Sequence, residues 1–139
     1  MYYEYEVAGD NFSQAGNASQ DIKKKLQQLG VDIKTIKKVS IAMFEAEINM
    51  VVYAHGGKVF VDINDDAIVI VMKDLGPGIA DIEQAMTPGF STAPQETREL
   101  GWGAGMGLPN IKKNTDFLKV ESEVGVGTTV TMEIKIANA

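Results

Sequence analysis

The chain has 139 residues, no cysteine, a single histidine and a formal net charge of −6. The absent thiols exclude disulfides, thiolate metal sites and a cysteine nucleophile, and one histidine, His55, excludes a multi-histidine zinc centre. The acidic balance disfavours non-specific nucleic-acid binding, which needs lysine and arginine to displace counterions.

Hydrophobic residues make up 45% and charged residues 23%, the composition of a folded globular chain, and the length is that of one domain spanning residues 1–139. No apolar run approaches the roughly 20 residues of a membrane span, and the start MYYEYEVAGD has neither the basic end nor the apolar stretch of a signal peptide. A cytoplasmic protein without a membrane partner is expected. Charge is uneven: residues 1–39 hold six lysines against five acids, while residues 40–139 hold seven basic and fourteen acidic side chains. The lysines read as a solvated helix face.

Tyr2–Val7 alternates aromatic or apolar with acidic residues, the pattern of a half-buried edge strand. A helix follows from Ser13, as N-cap, to Leu29, with Gly30 placed as the C′ glycine. Asp32 can cap a second helix, in which Ile33, Ile36, Val39, Met43, Ala46 and Met50 recur at three- and four-residue spacing, with Phe44, Ile48 and Val51 widening the stripe. This helix is expected to end near Ala54, before Gly56-Gly57. The period then changes to two over Lys58–Asn64 and Ala67–Lys73, joined by a turn at Asn64-Asp65-Asp66, which is a hairpin. Residues 74–107 are turn-rich and lack periodicity, as functional connections often do. A short helix resumes at Leu108–Thr115, with Pro109 in its first turn, and Phe117–Glu123 and Thr128–Ile136 form a second hairpin. The order implies an α+β fold, a mainly antiparallel sheet with helices on one face.

Four clusters carry chemistry. Glu45 and Asn49 lie four residues apart on one helix face, where a carboxylate and a carboxamide can share a site, and an amide among Ile48, Met50 and Val51 needs a specific partner such as a hard metal ion. Asp74-Leu75-Gly76-Pro77-Gly78 follows an apolar strand, so that a strand-end carboxylate can accept a hydrogen bond from an amine beside glycines that admit a flat ring. Gly101-Trp102-Gly103-Ala104-Gly105-Met106-Gly107-Leu108 sets alternate glycines ahead of a helix, where backbone N–H groups can surround phosphate oxygens. It matches neither GxxxxGK[ST] nor GxGxxG. The last cluster is Gly125-Val126-Gly127-Thr128.

In this order, Glu45-x-x-x-Asn49, Asp74-x-Gly76-x-Gly78, Gly103-x-Gly105-x-Gly107-Leu108 and Gly125-x-Gly127-Thr128 resemble the N box and the three glycine boxes of the GHKL ATPases, the family of histidine kinases and DNA gyrase. The resemblance spans roughly residues 36–136 and implies the Bergerat α/β sandwich. The short length, and Pro88-Gly89-Phe90-Ser91-Thr92 ahead of the glycine run, are similar to the anti-sigma-factor serine kinases and above all the stressosome switch kinases. Val52-Tyr53 departs from the family, many members of which carry Lys-His there. The resemblance implies ATP and Mg²⁺ as cofactors. Asn49 would hold the metal, Asp74 the adenine amine with Thr128 supporting it through water, and Gly76, Gly78, Ser91, Thr92, Gly103, Gly105, Gly107 and Leu108 would complete the nucleotide site. Residues 87–104 would form the ATP lid and Glu45 would be the base. The implied activity is phosphorylation of a serine or threonine on a STAS-domain anti-sigma antagonist. The alternative is an anti-sigma or phosphatase-activating binding module with little catalysis. A sigma factor or a PP2C-type phosphatase is the further implied partner, and homodimerisation is left open because relatives differ.

Overall fold

The computed structural model describes residues 1–8, 16–53, 56–74 and 107–136. Within them the elements are β1 (Tyr2–Ala8), α1 (Asn17–Gln28), α2 (Ile33–Tyr53), β2 (Gly56–Ile63), β3 (Ala67–Asp74), α3 (Gly107–Lys113), β4 (Phe117–Glu123) and β5 (Gly127–Lys135). The strands form one antiparallel sheet in the order β1-β2-β3-β5-β4, with β1 at an edge as its half-polar pattern predicts.

Alternation along the strands decides which face the helices cover. Val59, Val61 and Ile63 of β2, Ile68, Ile70 and Met72 of β3, and Met132 and Ile134 of β5 are buried, and they join Ile22 and Leu26 of α1, Val39, Met43, Ala46 and Met50 of α2, and Leu108 and Ile111 of α3 in one core. The opposite side chains, among them Glu4, Lys58, Asp62, Lys73, Lys119 and Glu121, face solvent. On that outer face the Tyr2 and Phe60 rings stack with centroids 6.5 Å apart. The result is the expected α+β sandwich, with the helices of the described residues on one side of the sheet.

Local chemistry sets most boundaries. Gly30, at φ 75°, ends the α1 connection, and the Val31 N–H reaches back to the Leu26 carbonyl at 3.1 Å, closing the last turn in the manner of a C′ glycine. Asp32 caps α2 through the backbone N–H of Thr35 at 3.1 Å and through the Thr35 hydroxyl. Those two bonds, hydroxyl first, hold its carboxyl below the usual range. In the first hairpin Asn64 Oδ1 accepts the N–H groups of Asp66 and Ala67 at 2.8 and 2.9 Å. The edge strand is tied to α1 by the Tyr5 hydroxyl, which donates to Asp21 at 2.5 Å, and Lys25 approaches the same carboxylate at 2.9 Å.

Two expectations are corrected. Helix α1 does not start at Ser13, which lies outside the described residues; it starts at Asn17, with Gly16 in the capping position at φ 92° and without a side-chain cap of its own. Ile33 and Phe44 are not core members. Ile33, the first residue of α2, is 84% exposed, and Phe44 is 39% exposed.

Candidate functional site

The missing cap of α1 is supplied from α2. Glu47 is only 2% exposed. Its Oε2 accepts the N–H groups of Gly16 and Ala18 at 2.8 and 3.3 Å, and its Oε1 accepts the N–H and the hydroxyl of Ser19 at 3.0 and 2.7 Å. A buried carboxylate is tolerated because donors surround it and the positive end of a helix faces it. Sequence reasoning passed over this residue. The signal was present, since Glu47 falls four residues after Met43 and three before Met50, inside the apolar stripe.

With Glu47 turned toward α1, its neighbours Glu45 and Asn49 lie on another side of α2. Glu45 is partly buried and accepts a hydrogen bond from the side-chain amide of Asn110 on α3 at 3.4 Å. Burial pushes the Glu45 carboxyl above the usual range, and the Asn110 bond opposes that rise. Asn49 is partly buried and its carboxamide makes no hydrogen bond among the described residues. It is a hard oxygen donor of the kind Mg²⁺ takes, and no group of three acidic, histidine or cysteine side chains among the described residues could hold a metal instead. The donor set fits a cation held mainly by phosphate and water with one carboxamide from the protein.

The second half of the site is the end of β3. Asp74, its last residue, is flanked by glycines on both neighbouring strands. A Cβ on Gly57 of β2 would stand 2.8 Å from the Asp74 Cα, and one on Gly127 of β5 would stand 2.2 Å from its carbonyl oxygen. The second glycine lets β5 approach closely enough for the Thr128 N–H to donate to Asp74 Oδ1 at 3.0 Å. Thr128 is 7% exposed, and its hydroxyl lies 2.8 Å from that of Ser122. Asp74 and Thr128 are thus joined directly, the Thr128 backbone N–H donating to the Asp74 carboxylate. The two halves meet at Gly57, whose Cβ would also stand 2.7 Å from the Met50 methyl. The residue next to Asn49 therefore lies over the strand end that carries Asp74.

Gly107 opens α3 and Leu108 packs into the core. Gly76, Gly78, Ser91, Thr92, Gly103, Gly105, the expected lid over 87–104 and His55 lie outside the described residues.

The profile of the histidine kinase-, DNA gyrase B- and HSP90-like ATPases matches residues 34–138. The chain belongs to this ATPase family. An anti-sigma F factor of Geobacillus thermodenitrificans is 32% identical over the whole of this chain and 94% of its own length. Another, from Caldanaerobacter subterraneus subsp. tengcongensis, is 37% identical over 76% of this chain and 73% of its own. The solved structure of the mycobacterial sensor histidine kinase MprB superposes over the full length of both chains with a TM-score of 0.56 at 16% identity. At that identity the likeness shows the fold, which agrees with the sandwich described above. In keeping with the family, ATP is the ligand this domain binds. No helix among the described residues is long and apolar enough to cross a membrane.

Proposed function

We propose that this chain is an ATP-dependent protein serine/threonine kinase acting as an anti-sigma partner switch, and that it phosphorylates a STAS-domain antagonist. The observation that carries the reading is the convergence at Gly57. Met50 of α2, next to Asn49, meets Gly57 beside the end of β3, where Asp74 and Thr128 are joined, and Glu45 stands one turn before Asn49 on the same helix. A strand-end carboxylate suits the adenine amino group, and a carboxamide with a carboxylate one turn away suits the phosphate end of the same nucleotide.

In this reading Asp74 accepts a hydrogen bond from the adenine amine, with the Thr128 N–H fixing the carboxylate's rotamer. Asn49 would hold Mg²⁺ through its carboxamide oxygen; the ion, when bound, neutralises charge on the phosphates. Glu45 takes the proton of the attacking serine or threonine hydroxyl. The hydroxyl oxygen forms the new P–O bond, the bond from the γ-phosphorus to the β–γ bridging oxygen breaks, and ADP leaves. Ser91, Thr92, Gly76, Gly78, Gly103, Gly105 and Gly107 belong to the proposed nucleotide site through the resemblance. Partners follow from the same reading: the STAS antagonist, a sigma factor and a PP2C-type phosphatase.

A second reading is supported by the relatives named anti-sigma F factor: a nucleotide-dependent module that sequesters a sigma factor with little catalysis. Incubation of the chain with labelled ATP, Mg²⁺ and a serine-bearing STAS protein from the same genome separates the two. Label on the STAS protein is the expected result. Tight ATP binding without transfer would replace the kinase by the sequestering module.

A further inference from the structure

We infer that Asn110 is a positioning residue for Glu45, holding one carboxylate oxygen so that the other is presented to the incoming hydroxyl. The inference rests on the kinase reading above.

Helix α3 has only seven residues, too few to be stable alone, so its orientation is set by packing. Leu108 and Ile111 are 8% and 0% exposed and anchor it in the core. A residue next to Ile111 is turned by about 100° around the helix, which brings Asn110 out of the core and to the side that meets α2. The Asn114 side chain steadies the same helix by donating to the Asn110 carbonyl at 2.8 Å.

Glu45 has no hydrogen-bond partner other than Asn110 among the described residues. A glutamate side chain left to itself samples many rotamers, and a base must stand within hydrogen-bond reach of the proton it takes. One amide on Oε1 removes most of that freedom. At 3.4 Å the bond is long, as catalytic hydrogen bonds often are before substrate arrives. Burial works against the Glu45 charge and the Asn110 amide favours it, so the same contact supports the ionised form a base requires. Asn110 also follows the glycine run by three residues, in Gly107-Leu108-Pro109-Asn110, which ties the segment entering α3 to the base on α2.

The test is a double-mutant cycle read by single-turnover phosphotransfer from ATP to the STAS protein, with ATP affinity measured separately. Asn110→Leu should leave ATP affinity within about twofold and slow transfer about tenfold, the effect of one lost hydrogen bond to a charged group. Asn110→Gln, which keeps the donor, should recover part of the rate, and Asn110→Asp, which keeps the shape without the donor, covers the case in which leucine disturbs the fold. In a Glu45→Gln background the leucine substitution should cost less than about twofold, because the residue it serves is already gone. Equal losses in both backgrounds, or an unchanged rate in Asn110→Leu and Asn110→Asp, would overturn the assignment while leaving the kinase reading intact. Absence of transfer by the wild-type chain would overturn both.

Discussion

Glu47 and Ser19, 28 residues apart in sequence, share two hydrogen bonds to the same carboxylate oxygen, from the backbone N–H at 3.0 Å and from the hydroxyl at 2.7 Å. Helix α1 is therefore capped from its neighbour, and the stability of its first turn is lodged in α2. Removing the carboxylate in Glu47→Ala strands the N–H groups of Gly16, Ala18 and Ser19 and should cost about 3 kcal/mol or more. Glu47→Gln keeps the shape but turns an NH₂ toward donors, and about 1–3 kcal/mol is expected. Urea unfolding of the two variants checks this. A loss below about 0.5 kcal/mol in the alanine variant would show that the cap contributes little.

Asp74→Asn separates the bond Asp74 makes to Thr128 from the contact proposed for it with the adenine amine. Its carbonyl oxygen can still accept the Thr128 N–H, so the fold should persist, while the contact to the adenine amine is replaced by a clash of donors. A loss of about 1–3 kcal/mol in ATP binding, or roughly tenfold to over a hundredfold in affinity, is expected by calorimetry. An unchanged affinity would remove Asp74 from the adenine site.

The two glycines of the second hairpin should respond differently to alanine. Gly125, at φ 83°, has open space around its Cβ position, whereas the Cβ of Gly127, at φ 149°, would stand 2.2 Å from a backbone oxygen. Gly125→Ala should cost about 1 kcal/mol of backbone strain. Gly127→Ala must push β5 away from Asp74, so it should cost at least about 2 kcal/mol and also weaken ATP binding. Thermal melts and ATP titration of both variants decide it; equal behaviour would show that the close approach is unimportant.

Glu45→Gln should cut phosphotransfer by about 10²–10⁴ and leave ATP affinity within a few-fold, since it keeps shape and removes the proposed base. Its stability should move the other way. Burial raises the Glu45 carboxyl in the folded chain, so the folded state's preference for the protonated form is complete below the unfolded value of about 4.3 and is lost as pH rises through the folded value. At pH 7 the wild type carries the cost of the charge and the glutamine variant does not. The carboxyl is only partly buried and solvent screens it, so the gain is small, and it should vanish near pH 4. A Glu45→Gln variant less stable than wild type at pH 7, measured by urea unfolding across this range, would contradict the desolvation argument. Phosphotransfer by the wild type should correspondingly fall on the acid side at a pH above the ordinary carboxylate range.

Element order and type were legible because the periods are clean: two in β2 and β3, three to four in α2, and glycine or Asx chemistry at the Gly30 and Asn64 turns. Asp32 and Gly30 were readable as cap and stop because their partners lie within four residues. The start of α1 was not, because its cap comes from Glu47, and a sequence gives no direct sign of which distant carboxylate will face a helix end. Ile33 was misread for a related reason: periodicity marks a face of a helix but not how far the underlying layer extends. At the proposed site, Glu45, Asn49, Asp74 and Thr128 were named from their spacing and from the resemblance that the order of four motifs carries. Asn110 escaped because a single asparagine on a short helix is ordinary, and only the packing of α3 on α2 gives it a partner. The direct Asp74 to Thr128 bond depends on Gly127 being small, which the motif recorded without its reason.

The first amides of most helices lack intrahelical acceptors and exchange with solvent at nearly the rate of an open chain. In α1 the amides of Ala18 and Ser19 end instead on a carboxylate 2% exposed. They can exchange only when their bonds to Glu47 break, an event that parts the start of α1 from α2. The loosest end of an ordinary helix thus becomes a reporter, and the deuterium uptake of two backbone positions in α1 measures how often α1 parts from α2.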